Sequence, residues 1–374
     1  MVISEWMAQS VMNRYGPQQM QWHYEHGLAL QSIFLAGKKA GRDDFCRYVQ
    51  SMYDTKITPN GEIISYRKDE YNLDQLNPGK TLFLLYQEYG GERYRLAIER
   101  LRNQLRSHPR TPSGGFWHKQ IYPQQMWLDG LYMYAPFYAQ YTVEFIAAAN
   151  AVSAMFDDIE HQFTLMESKA RNGKTGLLYH AWDESRQERW ANSDTGCSPH
   201  CWGRALGWYC MALADVLGFI PPACRKNYAV LAAVAGRLIA PLLRYQDSVS
   251  GLWYQVLDRG DAPDNYTESS ASAMFVYFLL KMLRLGLVED DRVAEVRAAA
   301  RRAYQGLLEY KLREDNSGGL HLTGICKVAG LGGTPYRDGS YAYYVNEPIA
   351  IDDFKGIGPF ILASLEIEAL TINK

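Results

Sequence analysis

The chain has 374 residues, is 47% hydrophobic and carries a formal net charge of −2. This fits a globular protein with a sizeable core and gives no electrostatic reason to expect nucleic acid or an anionic membrane as a partner. No run approaches the ~20 apolar residues of a spanning helix. The opening stretch, MVISEWMAQSVMNRYG, has no apolar run long enough for a secretory leader. The six cysteines (Cys46, Cys197, Cys201, Cys210, Cys224 and Cys326) are too dispersed for a small disulfide framework. A reduced, cytoplasmic protein is the expectation. Aromatics make up 13% of the chain, with 27 Tyr and 9 Trp. Each such ring carries a polar atom that needs a partner, and its apolar face suits the C–H face of a sugar.

The period along the chain is helical. Trp22–Lys39, Gly130–Ala149, Ala205–Leu217 and Ser272–Leu285 are apolar over much of their circumference, as helices buried on more than one side are. Glu92–Arg106, Val152–Arg171, Arg225–Tyr245 and Asp290–Tyr310 alternate with them and are more polar, as an outer layer would be. Short glycine-aromatic turns recur: NGEIISY at Asn60, SGGFWH at Ser113, TGLLYH at Thr175, SGLWYQ at Ser250 and SGGLHL at Ser317. Six apolar helices are predicted to begin near Gln21, Gln75, Tyr122, Pro199, Tyr266 and Asn346. Each pairs with a more polar helix, the N-terminal one included, which predicts an all-α chain folded as one (α/α)6 barrel over residues 1–374. The structural alternative is an open helical solenoid. In a closed toroid the turns gather at one mouth, where loops on a rigid scaffold bind ligands.

Two acids stand where such a mouth would be. Asp129 sits among Met126, Trp127, Leu128 and Gly130, and Pro123 reads as the start of its helix. Burial there would keep the carboxyl protonated near neutrality, the condition for a general acid. The plainer reading is an acid favoured by the helix dipole or bonded to a core Tyr. Asp74, in YNLDQLNPGKTLF, precedes another inner helix and reads as an N-cap or as the second carboxyl of a glycosidic pair. In SPHCWGRALGWYC, Trp202, Arg204 and Trp208 cluster at a helix start, with Arg204 and Trp208 four residues apart on one face. A guanidinium grips a carboxylate and indoles stack on a sugar, so the cluster suits an acidic sugar; a core Trp pair with a structural Arg is the alternative. His118, Lys119 and His180 lie in two of the aromatic turns. Cys197, His200 and Cys201 lack the further ligands that zinc needs. No P-loop or dinucleotide fingerprint is present, and the GLGG at Gly330 reads as a loop.

GGFWHK, YPQQMWLDGLYM, WGRALGW and GIGPFILASLE together resemble the unsaturated rhamnogalacturonyl hydrolases (glycoside hydrolase family 105), which are related to the unsaturated glucuronyl hydrolases. The resemblance runs from about Trp22 to Glu368. It implies an (α/α)6 barrel and a glycosidase without metal or organic cofactor. The implied substrates are short oligosaccharides bearing an unsaturated uronic acid at the non-reducing end, left there by a pectin lyase. By motif it implies Asp129 as general acid/base, Asp74 as second active-site carboxylate and His180 as an active-site His. His118, Lys119, Trp202, Arg204 and Trp208 correspond to sugar-binding positions. The ALG between Arg204 and Trp208 departs from a glycine-richer run and bears on fine substrate preference.

The implied reaction fits the residues. Protonating C4 of the vinyl ether creates an oxocarbenium ion at C5, and water adds there. The hemiketal then opens and expels the remaining sugar. Asp129 would give and recover the proton, an ionised Asp74 would stabilise the cation, and Trp127 and Met126 would exclude water. The competing expectations are direct hydrolysis by two carboxylates, epimerisation, glycosaminoglycan disaccharides as substrate, and a non-catalytic carbohydrate-binding toroid.

Overall fold

The computed structural model describes residues 2–372, and in it the apolar stripes become six pairs of helices. The chain starts with α1 (Ile3–Arg14). It then alternates inner and outer helices: α2 (Tyr24–Ala40) and α3 (Asp43–Asp54), α4 (Gly79–Tyr89) and α5 (Glu92–Ser107), α6 (Leu128–Phe145) and α7 (Ala149–Ala170), α8 (Gly203–Phe219) and α9 (Arg225–Arg244), α10 (Ser269–Arg284) and α11 (Val293–Gly306). A short α12 (Tyr341–Asn346) precedes the last inner helix, α13 (Phe354–Ile372). The inner helices pack in the ring α2–α4–α6–α8–α10–α13 and back onto α2; α1 lies on α13, so the first and last helices close the toroid. The fold is an (α/α)6 barrel.

Burial follows the two classes of sequence. α8 is buried almost all round, from Gly203 to Leu217. α3 buries only the stripe Phe45, Cys46, Val49, Met52 and Tyr53, at the spacing of one helical face. Close approach needs small residues: a Cβ on Gly207 of α8 would meet Met274 Sδ of α10 at 2.6 Å.

All five predicted turns form, and their glycines at 61, 114, 176, 251 and 318 all have positive φ. Three are closed by the same kind of bridge, Ile57–Ile63, Arg110–Phe116 and Arg171–Leu178. Each turn leads from the end of an outer helix toward the next inner one, so all five gather at the mouth where inner helices begin. Short strands pair within these loops: β1 (Gln125–Trp127) with β2 (Ala181–Asp183), β3 (Leu312–Glu314) with β4 (Leu320–Leu322), and β5 (Ile325–Cys326) with β6 (Ile349–Ala350).

All six predicted helix starts move inward, by three to eight residues, three of them for a visible reason. Pro123 does not open α6, because Gln124 behind it has φ of 64°, a left-handed turn that no right-handed helix contains. β1 follows, and the helix starts at Leu128. Asp74 lies in a 3₁₀ turn, Leu73–Gln75, ahead of α4. The expected start near Asn346 is instead the end of α12, with β6 between it and α13.

Candidate active site

A ladder of backbone hydrogen bonds across the loops brings the candidate residues together. Leu73 N–H donates to His118 O (3.2 Å) and His118 N–H to Gln125 O (2.9 Å). Leu128 N–H donates to His180 O (3.0 Å) and His180 N–H to His200 O (3.3 Å). β1 is registered on β2 with Trp127 opposite Ala181. Asp74, His118, Trp127, Asp129 and His180 are thereby fixed side by side. His118 and His180 each stand four residues after the turn glycine, Gly114 and Gly176. The same register in the turn at Gly251 gives Gln255, which is fully buried.

Asp129 is the second residue of α6, with its side chain 13% exposed. Its Oδ2 lies 3.2 Å from Nε2 of the fully buried His180, yet both atoms are buried without a hydrogen bond, because the contact is close but not aligned. The other ring nitrogen, Nδ1, shares a 2.7 Å hydrogen bond with the Tyr344 hydroxyl. If Tyr344 donates to Nδ1, Nε2 carries a hydrogen toward Asp129. If Nδ1–H donates to Tyr344, Nε2 is bare and turns its lone pair toward Asp129. Tyr344 thus sets whether Nε2 presents a hydrogen or a lone pair to Asp129.

Asp74 is buried and forms a 2.7 Å ion pair with Lys119; His118 Nε2 is 3.7 Å from its other oxygen, too far for a hydrogen bond. Burial pushes the Asp74 carboxyl up, but Lys119 and His118 outweigh it and hold it down at about 2, so it is ionised at neutral pH. Burial pushes His118 down to about 4 against the pull of Asp74, so its ring is neutral. Asp74 does not cap α4: its own N–H is capped by the Asn72 side chain (3.0 Å). The Tyr24 hydroxyl is raised by burial, then by Glu25 and Asp74, while Arg204 opposes and Asp129 adds to the rise. Both candidate carboxyls therefore lie near enough to act on the Tyr24 hydroxyl.

The walls are aromatic. Trp127 stacks on His118 (centroids 4.6 Å, planes 9° apart) and on Tyr122 (4.9 Å, 20°), and meets His180 edge-on at 5.4 Å. Met126 does not share this wall. Side chains alternate along a strand, and Met126 packs into the core against Gly115, where a Cβ would meet its sulfur at 2.1 Å. Trp202 stacks on Tyr344 (5.9 Å, 23°) and meets the ring of His180 at a tilt (4.8 Å, 53°), and its Nε1 donates to Gln255 Oε1 (3.0 Å). Trp208 stacks on Tyr132 (4.9 Å, 19°) and takes the Tyr24 edge at 6.0 Å.

Arg204 carries features of the structural alternative. It is buried, its Nη1 donates to the Cys326 carbonyl, and its guanidinium carbon lies 4.9 Å over Trp202. Nearby Glu268 caps α10 through Ala271 N–H (2.7 Å) and also accepts from Cys326 N–H (2.9 Å). One edge of the guanidinium is thus committed to the scaffold, although its charge still reaches Tyr24. Sequence reasoning missed Tyr24, Tyr122, Gln255 and Tyr344. The register of four residues after the turn glycine would have found Gln255; nothing local in the sequence marks the three tyrosines among 27.

The model of Glycosyl Hydrolase Family 88 matches residues 3–371. A glycoside hydrolase from family 105 of C. acetobutylicum ATCC 824 superposes with a TM-score of 0.93 at 45% identity, over 99% of this chain and 100% of that one. The unsaturated rhamnogalacturonyl hydrolase YesR of Bacillus subtilis (strain 168) is 26% identical over 356 residues, 88% of this chain and 96% of that protein. The unsaturated glucuronyl hydrolase of Bacillus sp. GL1 shares the fold, at 13% identity and a TM-score of 0.69, over 98% of this chain and 96% of its own. The chain belongs to the unsaturated uronyl hydrolases of glycoside hydrolase families 88 and 105, and it is a glycosidase.

Proposed function

We propose that the enzyme releases the 4-deoxy-4,5-ene galacturonic acid from the non-reducing end of lyase-generated rhamnogalacturonan oligosaccharides, by protonating and hydrating the vinyl ether. The observation that carries the reading is Asp129: a carboxyl oxygen buried without a hydrogen bond, facing His180, beside an aromatic wall and a basin that holds Asp74 ionised. Asp129 delivers its proton to C4. Positive charge develops at C5 and the ring oxygen, where the Asp74 carboxylate stabilises it. Water attacks C5 and returns a proton to Asp129. The C5 hemiketal opens to a ketone, and the hemiacetal left at C1 expels the remaining sugar. His180, fixed by Tyr344, faces the carboxyl at 3.2 Å and forms a hydrogen bond with it as the proton leaves and comes back. The relationship to YesR supports rhamnogalacturonan as the source. A cytoplasmic location goes with the proposal, supported by six cysteines that are all free and buried.

The test is loss of alkene ultraviolet absorbance with unsaturated disaccharides from rhamnogalacturonan, homogalacturonan and glycosaminoglycans. The highest kcat/KM is expected with the rhamnogalacturonan disaccharide. Faster turnover of either other substrate would overturn the substrate assignment.

A further inference from the structure

Beyond the basin, the barrel axis holds a second cavity of about 390 Å³, lined mainly from the middle to the C-terminal ends of the inner helices and, on α4, by its first turns. Its floor is Lys80, second residue of α4 and 2% exposed. The Lys80 Nζ lies 3.7 Å over the Tyr132 ring and has no hydrogen-bond partner. The Tyr132–Trp208 stack, with Tyr24 against it on the basin side, separates this floor from the catalytic mouth. Gly218 and Arg284 are exposed at the rim, so the cavity opens at the opposite end of the barrel.

The other cations lining the cavity are matched. Lys281 donates to Asp215 (2.5 Å) and to the Tyr277 hydroxyl (2.6 Å), which itself donates to Asp215 (2.6 Å). Arg284 makes two hydrogen bonds to Glu366 (2.9 and 2.8 Å). Lys80 has no carboxylate of its own, and Gln31 contributes an Oε1 that is buried without a partner. A buried ammonium without a hydrogen bond is costly, and so is a bare carbonyl oxygen. One surplus donor charge and one free acceptor, among polar groups that are otherwise paired with one another, define the ligand. The C-terminal ends of α8 and α10 at the rim repel an anion, so the anionic group belongs at the floor.

We infer that this axial cavity is a second ligand site, for a small hydroxycarboxylate whose carboxylate meets Lys80 and whose hydroxyl donates to Gln31. The volume lies in the range of small-molecule pockets. Burial pushes Lys80 down to about 7 although Asp215 pulls it up, so binding is measured at about pH 6, where the ammonium is charged.

Calorimetric titration with lactate tests the site. Saturable binding in the millimolar range is expected, weakened about tenfold or more in Lys80→Met, which keeps the length of the chain and removes the charge. Propionate, which lacks the hydroxyl, should bind several-fold more weakly than lactate in the wild type, and that preference should vanish in Gln31→Leu. Lactate should bind equally well when the mouth of Asp129→Asn, which holds the unsaturated disaccharide without turning it over, is saturated with that disaccharide. No saturation by about 100 mM, unchanged affinity in Lys80→Met, or displacement of lactate by the disaccharide would each overturn the site. If Lys80→Met fails to fold, Gln31→Leu decides: a lactate preference that persists there refutes the assignment.

Discussion

Replacing Lys119 with Met should invert the pH dependence of stability that Asp74 confers. In the folded protein Asp74 is held at about 2, against an ordinary value of 3.8, by Lys119 at 2.7 Å and by His118, which is itself protonated below about 4. That is roughly two pH units, or ~2.5 kcal/mol, and little solvent screening applies at 6% exposure. A depressed carboxyl contributes its stability fully above the unfolded value of about 4 and loses it as pH falls toward 2. Without Lys119 the burial penalty stays and the attraction goes, so the folded pKa should rise above the unfolded one. The variant should then be weaker than wild type by about 3–5 kcal/mol at neutral pH, the cost of an uncompensated buried charge. It should regain much of that deficit as pH falls and Asp74 protonates. Urea unfolding at about pH 7 and about pH 4 reads the difference directly. The acid limb of kcat/KM should also shift upward, because Asp74 would ionise later. A deficit of the same size at both pH values would refute the electrostatic role of the pair.

Gly130→Ala places a Cβ 3.0 Å from His118 Nδ1 and 3.2 Å from Leu73 Cδ1, so the loops carrying His118 and Asp74 must shift by tenths of an ångström. We expect kcat to fall about tenfold while stability changes by only about 1 kcal/mol, since the helix gains what the crowding costs; unaltered kinetics would show that this spacing is immaterial. Tyr344→Phe removes the partner of His180 Nδ1 and frees the tautomer. A loss of about 1–3 kcal/mol in unfolding free energy, with an altered pH–rate profile, is expected, whereas an unchanged profile would separate Tyr344 from the acid. Turnover in heavy water should leave deuterium at C4 of the product; its absence there would favour direct hydrolysis.

The helical register was readable because inner and outer helices differ in kind: α8 is apolar all round, and α3 carries one stripe. The turns were readable because glycine takes their left-handed backbone without steric cost. Helix starts were harder to read. Pro123 resembles a first-turn proline, and only the left-handed Gln124 behind it, a tertiary outcome, cancels that signal. The acids Asp74 and Asp129 stood out by their apolar neighbours and helix context. What holds them did not, because the backbone ladder through His118 and His180 joins segments far apart in sequence. Met126 was grouped with Trp127 by adjacency, although adjacency within a strand sends side chains to opposite faces. Arg204 read equally as a sugar clamp or a structural Arg, because its anchor, the Cys326 carbonyl, lies 122 residues away.

The most direct measurement compares turnover and binding of the unsaturated disaccharide by wild type and Asp129→Asn. With Asp129 as the proton donor, the variant should bind with nearly unchanged affinity and turn over slower by a factor on the order of 10²–10⁴. Turnover equal to wild type would mean that another group protonates the alkene.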